Sequence, residues 1–298
     1  MFLDNQVVDY RFGMEKKTGK LEEMKKKKIT ILIITVVLFL WLLWGNKTVE
    51  LNNITISSKD LPSAFSGYKI AQISDLHNAQ FGNENAMLIR LLKEASPDII
   101  VITGDIVDST HTDMDTAIAF VRNMVEIAPC YYVTGNHEAW LGSDYNELEN
   151  ALIDAGVIVL HDEAVTLEKE GQTIQMIGVD DPDFSYIAAD KIISAKLENI
   201  NITQEFTIML SHRPELFYSY VENEIDLVLS GHAHGGQVRI PLIGGLIAPE
   251  QGLFPKYDAG VYLKGNTTMV VSRGIGNSVI PIRINNRPEI VLIELQSE

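Results

Sequence analysis

The chain has 298 residues, 46% hydrophobic and 21% charged, a composition that excludes a disordered polymer and suits a globular domain with a sizeable core. Its formal charge of −16 is uneven: residues 1–28 carry eight Lys or Arg against five acids, which leaves sixteen bases against thirty-five acids for the rest. A body that acidic repels polyanions and argues against nucleic acid as a substrate. The single cysteine, Cys130, excludes an intrachain disulfide.

Residues 1–28 form a basic tail that ends in four lysines, and 29–44 is an apolar run interrupted only by Thr30 and Thr35. As a helix this run spans about 24 Å, short for a hydrocarbon core of about 30 Å but within reach when the flanks snorkel. Trp41 and Trp44 at its far end fit an interfacial belt, and the lack of a polar face argues against a buried core helix. Met24 with its four lysines also resembles a start site and the n-region of a signal peptide. Gly45-Asn46-Lys47-Thr48 offers no clear small-x-small cleavage site, so the run reads as an uncleaved transmembrane signal-anchor. The lysines then place the N-terminus in the cytoplasm and the acidic body outside, as a single-pass protein of the cell membrane. Residues 45–66 read as a linker or stalk, or as a first edge strand.

From residue 67 the pattern changes. A strand over 68–73, a helix over 84–95, an almost wholly apolar strand over 98–103, a helix over 114–127, a strand over 130–134, a helix over 144–155 and a strand over 157–160 read as βαβαβαβ. Right-handed crossovers of this kind lay helices over a largely parallel sheet and gather loops at the carboxyl ends of the strands. Residues 164–169 and 172–178 flank Glu170-Gly171 as a hairpin. A helix over 188–197 leads to a strand over 206–210, followed by a strand over 226–229, a hairpin of 260–264 and 267–272 around Gly265-Asn266, and a strand over 289–295. Two mixed sheets packed face to face, with helices outside, account for both halves as one α/β (α+β) domain over 67–298. Cys130 falls in an apolar run and reads as a small core residue.

Residues able to do chemistry collect where these strands end. The strands run in turn into Ser74-Asp75-Leu76-His77, Gly104-Asp105-Ile106-Val107-Asp108, Gly135-Asn136-His137-Glu138, Ser211-His212-Arg213-Pro214 and Ser230-Gly231-His232-Ala233-His234-Gly235-Gly236-Gln237. In extended chain, residues two apart point to the same side, so Asp75 with His77, and His232 with His234, can each face one pocket. Any single block has a plain alternative, such as a helix cap or a turn. Five of them, each after a buried strand, point to a metal site.

In this order, D-x-H, G-D-x-x-D, G-N-H-E, a lone H and G-H-x-H, the sequence resembles the calcineurin-like metallophosphoesterase superfamily from about Gly67 onward. Ser211-His212-Arg213-Pro214-Glu215, His234-Gly235-Gly236-Gln237 and Ser272-Arg273-Gly274-Ile275-Gly276 are similar to its membrane-associated bacterial branch, some members of which hydrolyse the pyrophosphate of UDP-2,3-diacylglucosamine. The resemblance implies a four-layer αββα sandwich and a hydrolase that uses two divalent transition-metal ions. By motif it implies Asp75, His77 and His234 on the first metal, Asn136, His212 and His232 on the second, and Asp105 bridging both. A carboxylate can span two ions about 3.5–4 Å apart, and mixed imidazole and oxygen donors suit Mn, Fe or Zn better than Ca or Mg. Water held between such ions supplies hydroxide at neutral pH for attack on phosphorus. His137, beside a ligand but not needed as one, is then the general acid for the leaving oxygen. Asp108 would hold that imidazole in its useful tautomer, and Glu138 would support its loop.

His111 and His161 lie in polar runs and read as solvated loop residues. Arg213 and Arg273 are candidates to grip phosphoryl oxygens. Segment 240–260 carries Leu242, Ile243, Leu246, Ile247, Leu253 and Phe254 among glycines and prolines, with too little polar spacing for a helix or strand. It reads either as a self-packed loop or as an apolar wall beside the metals that accepts an acyl or prenyl chain. The expected substrate is a phosphate ester or pyrophosphate, lipid-linked on the second reading of that loop and a small soluble phosphodiester or phosphomonoester on the first. A non-catalytic anchored binding domain would need damaged ligands, and none is damaged. A metallopeptidase would bring His-Glu-x-x-His, which is absent.

Overall fold

The computed structural model describes residues 3–277 and 280–298, so Met1 and Phe2 of the basic tail lie outside the described residues. The chain divides into two units, Met1–Trp44 and Gly45–Glu298. Helix α1 (Leu3–Lys47) starts far ahead of the predicted span at 29–44. No proline interrupts residues 3–47, and the lysine- and glutamate-rich stretch is itself a good helix former. Within Lys20–Lys47 lies a stretch of mean hydropathy 2.3 with none of it buried, a single N-terminal apolar helix long enough to span a membrane.

The second unit opens with β1 (Glu50–Ser58), β2 (Lys69–Ile73), α2 (Ala86–Ala95), β3 (Ile99–Thr103), α3 (Met114–Val125), β4 (Cys130–Val133), α4 (Asn136–Trp140), α5 (Tyr145–Asp154) and β5 (Ile158–Val159). It continues with β6 (Glu163–Lys169), β7 (Gln172–Gly178), α6 (Ala189–Asn199), β8 (Thr207–Leu210), α7 (Phe217–Glu222) and β9 (Leu227–Ser230). Two short hairpins follow, β10 (Arg239–Ile240) with β11 (Gly244–Gly245) and β12 (Ile247–Ala248) with β13 (Gly252–Leu253). The last strands are β14 (Gly260–Lys264), β15 (Thr267–Val271) and β16 (Glu289–Ser297).

The described residues form two six-stranded mixed sheets, ordered β1-β16-β2-β3-β4-β5 and β14-β15-β9-β8-β7-β6. Strands β2 to β5 run parallel in the first, and β7, β8, β9 and β15 in the second. Side chains alternate across each sheet with the period of two expected of strands. From β3, Ile99 and Val101 enter the core between the sheets, while Ile100 and Ile102 enter the core under α2, α3 and α5. From β8, Ile208 and Leu210 join the inter-sheet core, and Met209 packs with Ile193, Leu197, Phe217 and Tyr220 of α6 and α7. The result is the αββα sandwich. One polar side chain crosses the inter-sheet layer: the buried Gln72 amide donates to Thr103 Oγ1 at 3.0 Å and, across the sandwich, to Ser230 O at 2.9 Å.

Several boundaries differ from the sequence reading. Glu84 and Asn85 have φ of 50° and 59°, so α2 begins at Ala86. Residues 45–66 hold the edge strand β1, which pairs with β16 over nine residues, and the compact unit starts at Gly45. Segment 240–260 does contain strands, the two small hairpins, whose pairing is set by turns through Leu242 and Glu250 in left-handed conformation.

Candidate metal centre

The parallel strands end level with one another, Ile73 opposite Ile102, Thr103 opposite Val133, and Leu210 opposite Leu229. The five loops that leave them therefore emerge at one end of the sandwich. Asp75, His77, Asp105, His232 and His234 all have positive φ, between 44° and 65°. Such conformations cost of order 1–3 kcal/mol each and persist only where the surroundings enforce them. Here the Asp75 N–H donates to Gly104 O at 3.1 Å, the His77 N–H to Asp105 O at 3.1 Å, and the His232 N–H to Asp75 Oδ1 at 3.0 Å. The loops pack so closely that glycine is obligatory at Gly231, where a Cβ would lie 1.9 Å from Ser74 Oγ.

All seven residues expected to bind metal come together, and all are buried. Asp75, His77, Asp105 and His234 form one group with one ligand atom each within 4.8 Å of the others, and Asp105, His212 and His232 form a second. Asp105 belongs to both. Its Oδ2 lies 3.5 Å from His77 Nε2 and 3.2 Å from His212 Nε2. In the first group His77 Nε2 faces His234 Nε2 at 3.1 Å, and His234 Nε2 is 3.4 Å from Asp75 Oδ1. In the second, His212 Nε2 is 3.1 Å from His232 Nδ1 and 3.2 Å from Asn136 Oδ1.

The surroundings prepare these atoms for a cation. His212 Nδ1 donates to Thr103 O at 2.7 Å, which turns Nε2 toward Asn136 and Asp105 as the atom available to a metal. His232 Nε2 lies 2.5 Å from Glu250 Oε2, so its proton sits there and Nδ1 faces His212. Burial pushes His77 down to about 4 and holds His232 and His234 well below the usual range, keeping them as neutral imidazoles. Against the cost of burial, His212 and His77 beside it hold Asp105 well below the usual carboxylate range. Burial also disfavours charge on His212, yet the adjoining Asp105 lifts it to about 10, so an ion binding at Nε2 would displace a proton there. Facing lone pairs around a shared carboxylate fit two divalent ions.

Glu138 anchors the loops beneath. Its Oε2 accepts from the N–H of Gly135 at 2.7 Å and of Asp105 at 2.8 Å, and its Oε1 from Ile106 at 2.8 Å and Val107 at 3.4 Å. Burial pushes this carboxyl up to about 7 while those donors pull the other way. His137 opens α4 beside Asn136 and lines the cleft. Its Nδ1 accepts from the Ser109 N–H at 3.0 Å. Asp108, expected to orient that ring, is 3.9 Å from Nδ1, because its carboxylate is taken by the Thr110 N–H at 2.8 Å and Thr110 Oγ1 at 2.6 Å. The backbone of Ser109 orients the imidazole instead.

Other expectations change as well. Arg213 is buried and gripped by Asp181 through Nε at 2.5 Å and Nη2 at 2.8 Å, and Arg273 pairs with Glu289 and, at 3.0 Å, with Glu50. Both guanidinium groups are thus engaged by carboxylates. Arg213 instead braces the centre through Glu250, its Nη1 lying 3.5 Å from Glu250 Oε2. His161 is clamped between Asp180 at 2.9 Å and Glu149 at 2.8 Å, which raise it to about 9. His111 lines the cleft rather than standing apart from it. Cys130 is buried, and burial pushes its thiol up to about 12.

The cleft has a volume of about 310 Å³ and is lined by Asp105, Asn136, His137, His232 and His234 together with Trp140, Pro249 and Glu250. Sequence reasoning missed the last three; a tryptophan four residues after a ligand was the one available signal. A second cavity of about 260 Å³ shares His234 and Pro249 with the cleft and is otherwise mostly apolar, lined by Ala233, Ile247, Ala248 and Ile280.

Comparison with known proteins places this geometry. Residues 68–236 match the family described as Calcineurin-like phosphoesterase. The chain is 31% identical over 258 residues to the uncharacterized metallophosphoesterase YkuE of Bacillus subtilis, covering 84% of this chain and 86% of that protein. It is 30% identical over 232 residues to the phosphodiesterase YaeI of Escherichia coli, covering 76% and 82%. A bovine transmembrane protein with metallophosphoesterase domain is 28% identical over 311 residues, covering 98% of this chain and 68% of that one. The two fused clusters are a dinuclear metal-binding site typical of such phosphoesterases.

Proposed function

The chain belongs to the calcineurin-like phosphoesterase family and is a metal-dependent hydrolase, and from that premise we propose that it cleaves a phosphate ester or pyrophosphate carried on a lipid. The observation that carries the reading is the shared carboxylate of Asp105 between two groups of imidazole and oxygen donors. Asp75, His77 and His234 would hold one ion and Asn136, His212 and His232 the other, with Asp105 shared between the two groups. Mn, Fe or Zn suits this donor set. When bound, the ions activate water at neutral pH and neutralise phosphoryl charge.

The chain's own groups do the rest. Ser109 donates to His137 Nδ1, which puts the proton of the neutral ring on Nε2 as a hydrogen-bond donor for the leaving oxygen; full transfer as a general acid takes the imidazolium. Asp108, 3.9 Å from that ring, holds the turn beside it through Thr110. Glu138 and Gly135 hold the Asp105 and Asn136 loops together, and Trp140 walls the cleft beside His137, with ring centroids 4.8 Å apart.

The lipid assignment is supported by the apolar cavity that meets the polar cleft at His234 and Pro249. A head group in the cleft would leave its chain in that cavity. The N-terminal anchor favours such a substrate, since it holds the site at high effective concentration near lipid. The lysines of the tail orient the catalytic unit outside the cytoplasm, and its acidity disfavours nucleic acid. In a test, Ile247→Ser should raise KM for a lipid phosphate several-fold and leave a nitrophenyl phosphate ester unchanged. Equal losses on both would return the substrate to the small soluble class. Within that class the name of the E. coli relative, a phosphodiesterase, favours a diester.

A further inference from the structure

Around Gln237 the second unit exposes an unusual amount of apolar surface. Leu242 and Ile243 stand at the turn between β10 and β11, 108% and 64% exposed, and Leu253 and Phe254 at the end of β13, 67% and 59% exposed. Ile282 and Ile284, about two-fifths exposed, lie on the segment before β16. The three segments are tied together by hydrogen bonds. Gln237 Nε2 donates to Ile282 O at 2.8 Å, the Arg239 N–H to Ile284 O at 3.0 Å, the Leu246 N–H to Val238 O at 2.8 Å, and the Phe254 N–H to Leu246 O at 2.9 Å. Scattered apolar side chains on a surface need no explanation, but a contiguous group of this kind marks a face that meets something apolar.

The identity of the occupant follows from where the chain enters this unit. Asn46 Nδ2 donates to Arg283 O at 2.8 Å, and the Arg283 N–H donates back to Asn46 Oδ1 at 2.8 Å. This reciprocal pair fixes residue 46 between Ile282 and Ile284. The apolar run of the anchor ends at Trp44, and two residues of chain reach at most about 7 Å. Covalent continuity alone therefore keeps the isoleucines beside the point where the chain leaves the lipid. We propose that this face, from Leu242 and Ile243 through Leu253 and Phe254 to Ile282 and Ile284, seats on the bilayer itself at the boundary of head groups and acyl chains. The mouth of the apolar cavity beside His234, bounded by Ile247 and Pro249 of the same hairpin, then opens toward lipid rather than toward bulk water. Docking does not depend on which phosphate is cleaved.

The test uses the full chain in vesicles of phosphatidylethanolamine and phosphatidylglycerol. Cys130→Ser leaves no thiol, and Leu242→Cys or Leu253→Cys introduces one for an environment-sensitive fluorophore. Ile153→Cys serves as control, since Ile153 is exposed near the end of α5 just before β5 begins, at the end of the sheet opposite the metal centre. Lipids with a nitroxide high on the acyl chain should quench the 242 and 253 probes about twofold or more, as for a face sunk about 5–10 Å into the interface, and leave 153 unchanged. Equal quenching at all three positions, or none at any, overturns the proposal. A blue shift at 242 and 253 that grows with protein density without nitroxide quenching would also overturn it and assign the face to a second copy of the chain. A failed lipid-phosphate assay alone would leave the quenching result intact, so the docking and the substrate reading fail separately.

Discussion

Replacing Glu138 by glutamine changes one atom and should nevertheless be among the most damaging substitutions in the protein. Four backbone N–H groups converge on this carboxylate, two on each oxygen, and all are buried. Whichever way the amide is turned, its NH₂ end faces two donors instead of accepting from them. Each buried donor left without an acceptor costs about 1–3 kcal/mol, so the loss is about 2–6 kcal/mol. For a domain of this size that corresponds to a fall in Tm of roughly 5–20 °C. The loops that carry Asp105 and Asn136 loosen with it, and metal content should fall in parallel. Thermal denaturation of the metal-free and metal-loaded forms, with elemental analysis of the latter, separates the two effects. A Glu138→Gln protein whose metal-free Tm lies within about 1 °C of the parent would refute the reasoning, because Glu138 would then have to be neutral in the native fold.

Asp105→Asn should deplete both ions, whereas His137→Ala should keep both and lower turnover by about 10²–10⁴, less for substrates with a good leaving group; elemental analysis beside kinetics decides, and an empty site in His137→Ala would make His137 a ligand. Complete removal of metal by a chelator should abolish hydrolysis and Mn, Fe or Zn should restore it, so full turnover after verified removal would sink the assignment. His161 is raised from 6.5 to about 9 in the fold, so its contribution is fully present below pH 6.5 and is lost as pH rises through about 9. Because its side chain is 38% exposed, that contribution is about 1 kcal/mol, and His161→Gln should lower Tm at pH 6 and leave it unchanged at pH 10. Gly231→Ala would force a Cβ to within 2.5 Å of Asp75 Oδ2, so it should reduce metal content; a variant with its full complement of ions would show that the loop can yield.

The metal-binding residues were legible in the sequence because each block follows a buried strand directly; the two-residue pairing of extended chain was not the reason, since Asp75, His77, His232 and His234 all sit in left-handed loop conformation and His232 and His234 fall in different groups. The parallel register of β2, β3 and β4 places their ends at one height, which is why the separate blocks form one site. What escaped was everything whose meaning depends on a distant partner. Arg213 looks like a phosphate grip until Asp181, 32 positions earlier, is seen to occupy it. Glu250 sits in a stretch notable for its leucines, and nothing local announces that it meets His232. His161 looked solvated because Glu149 and Asp180, its two carboxylates, lie on either side of it in sequence at distances no periodicity links. Helix α4 is only five residues long, too short for helical spacing to show.

The position of β16 carries a consequence for how the protein comes into being. This strand, the last in chain order, lies between β1 and β2, the first two, pairing with β1 in parallel over nine residues and with β2 in antiparallel sense. Until residues 289–297 have been made and delivered, β1 and β2 each expose an open edge, and Ile290, Val291, Ile293 and Leu295 are missing from the cores they complete. A nascent chain can pair β2 to β5 and the second sheet, but its first sheet lacks the strand that joins β1 to β2 until the final segment arrives. That delay exposes the unfinished molecule to proteases. A chain cut short by its last strand therefore loses the link between β1 and β2 and leaves both with open edges.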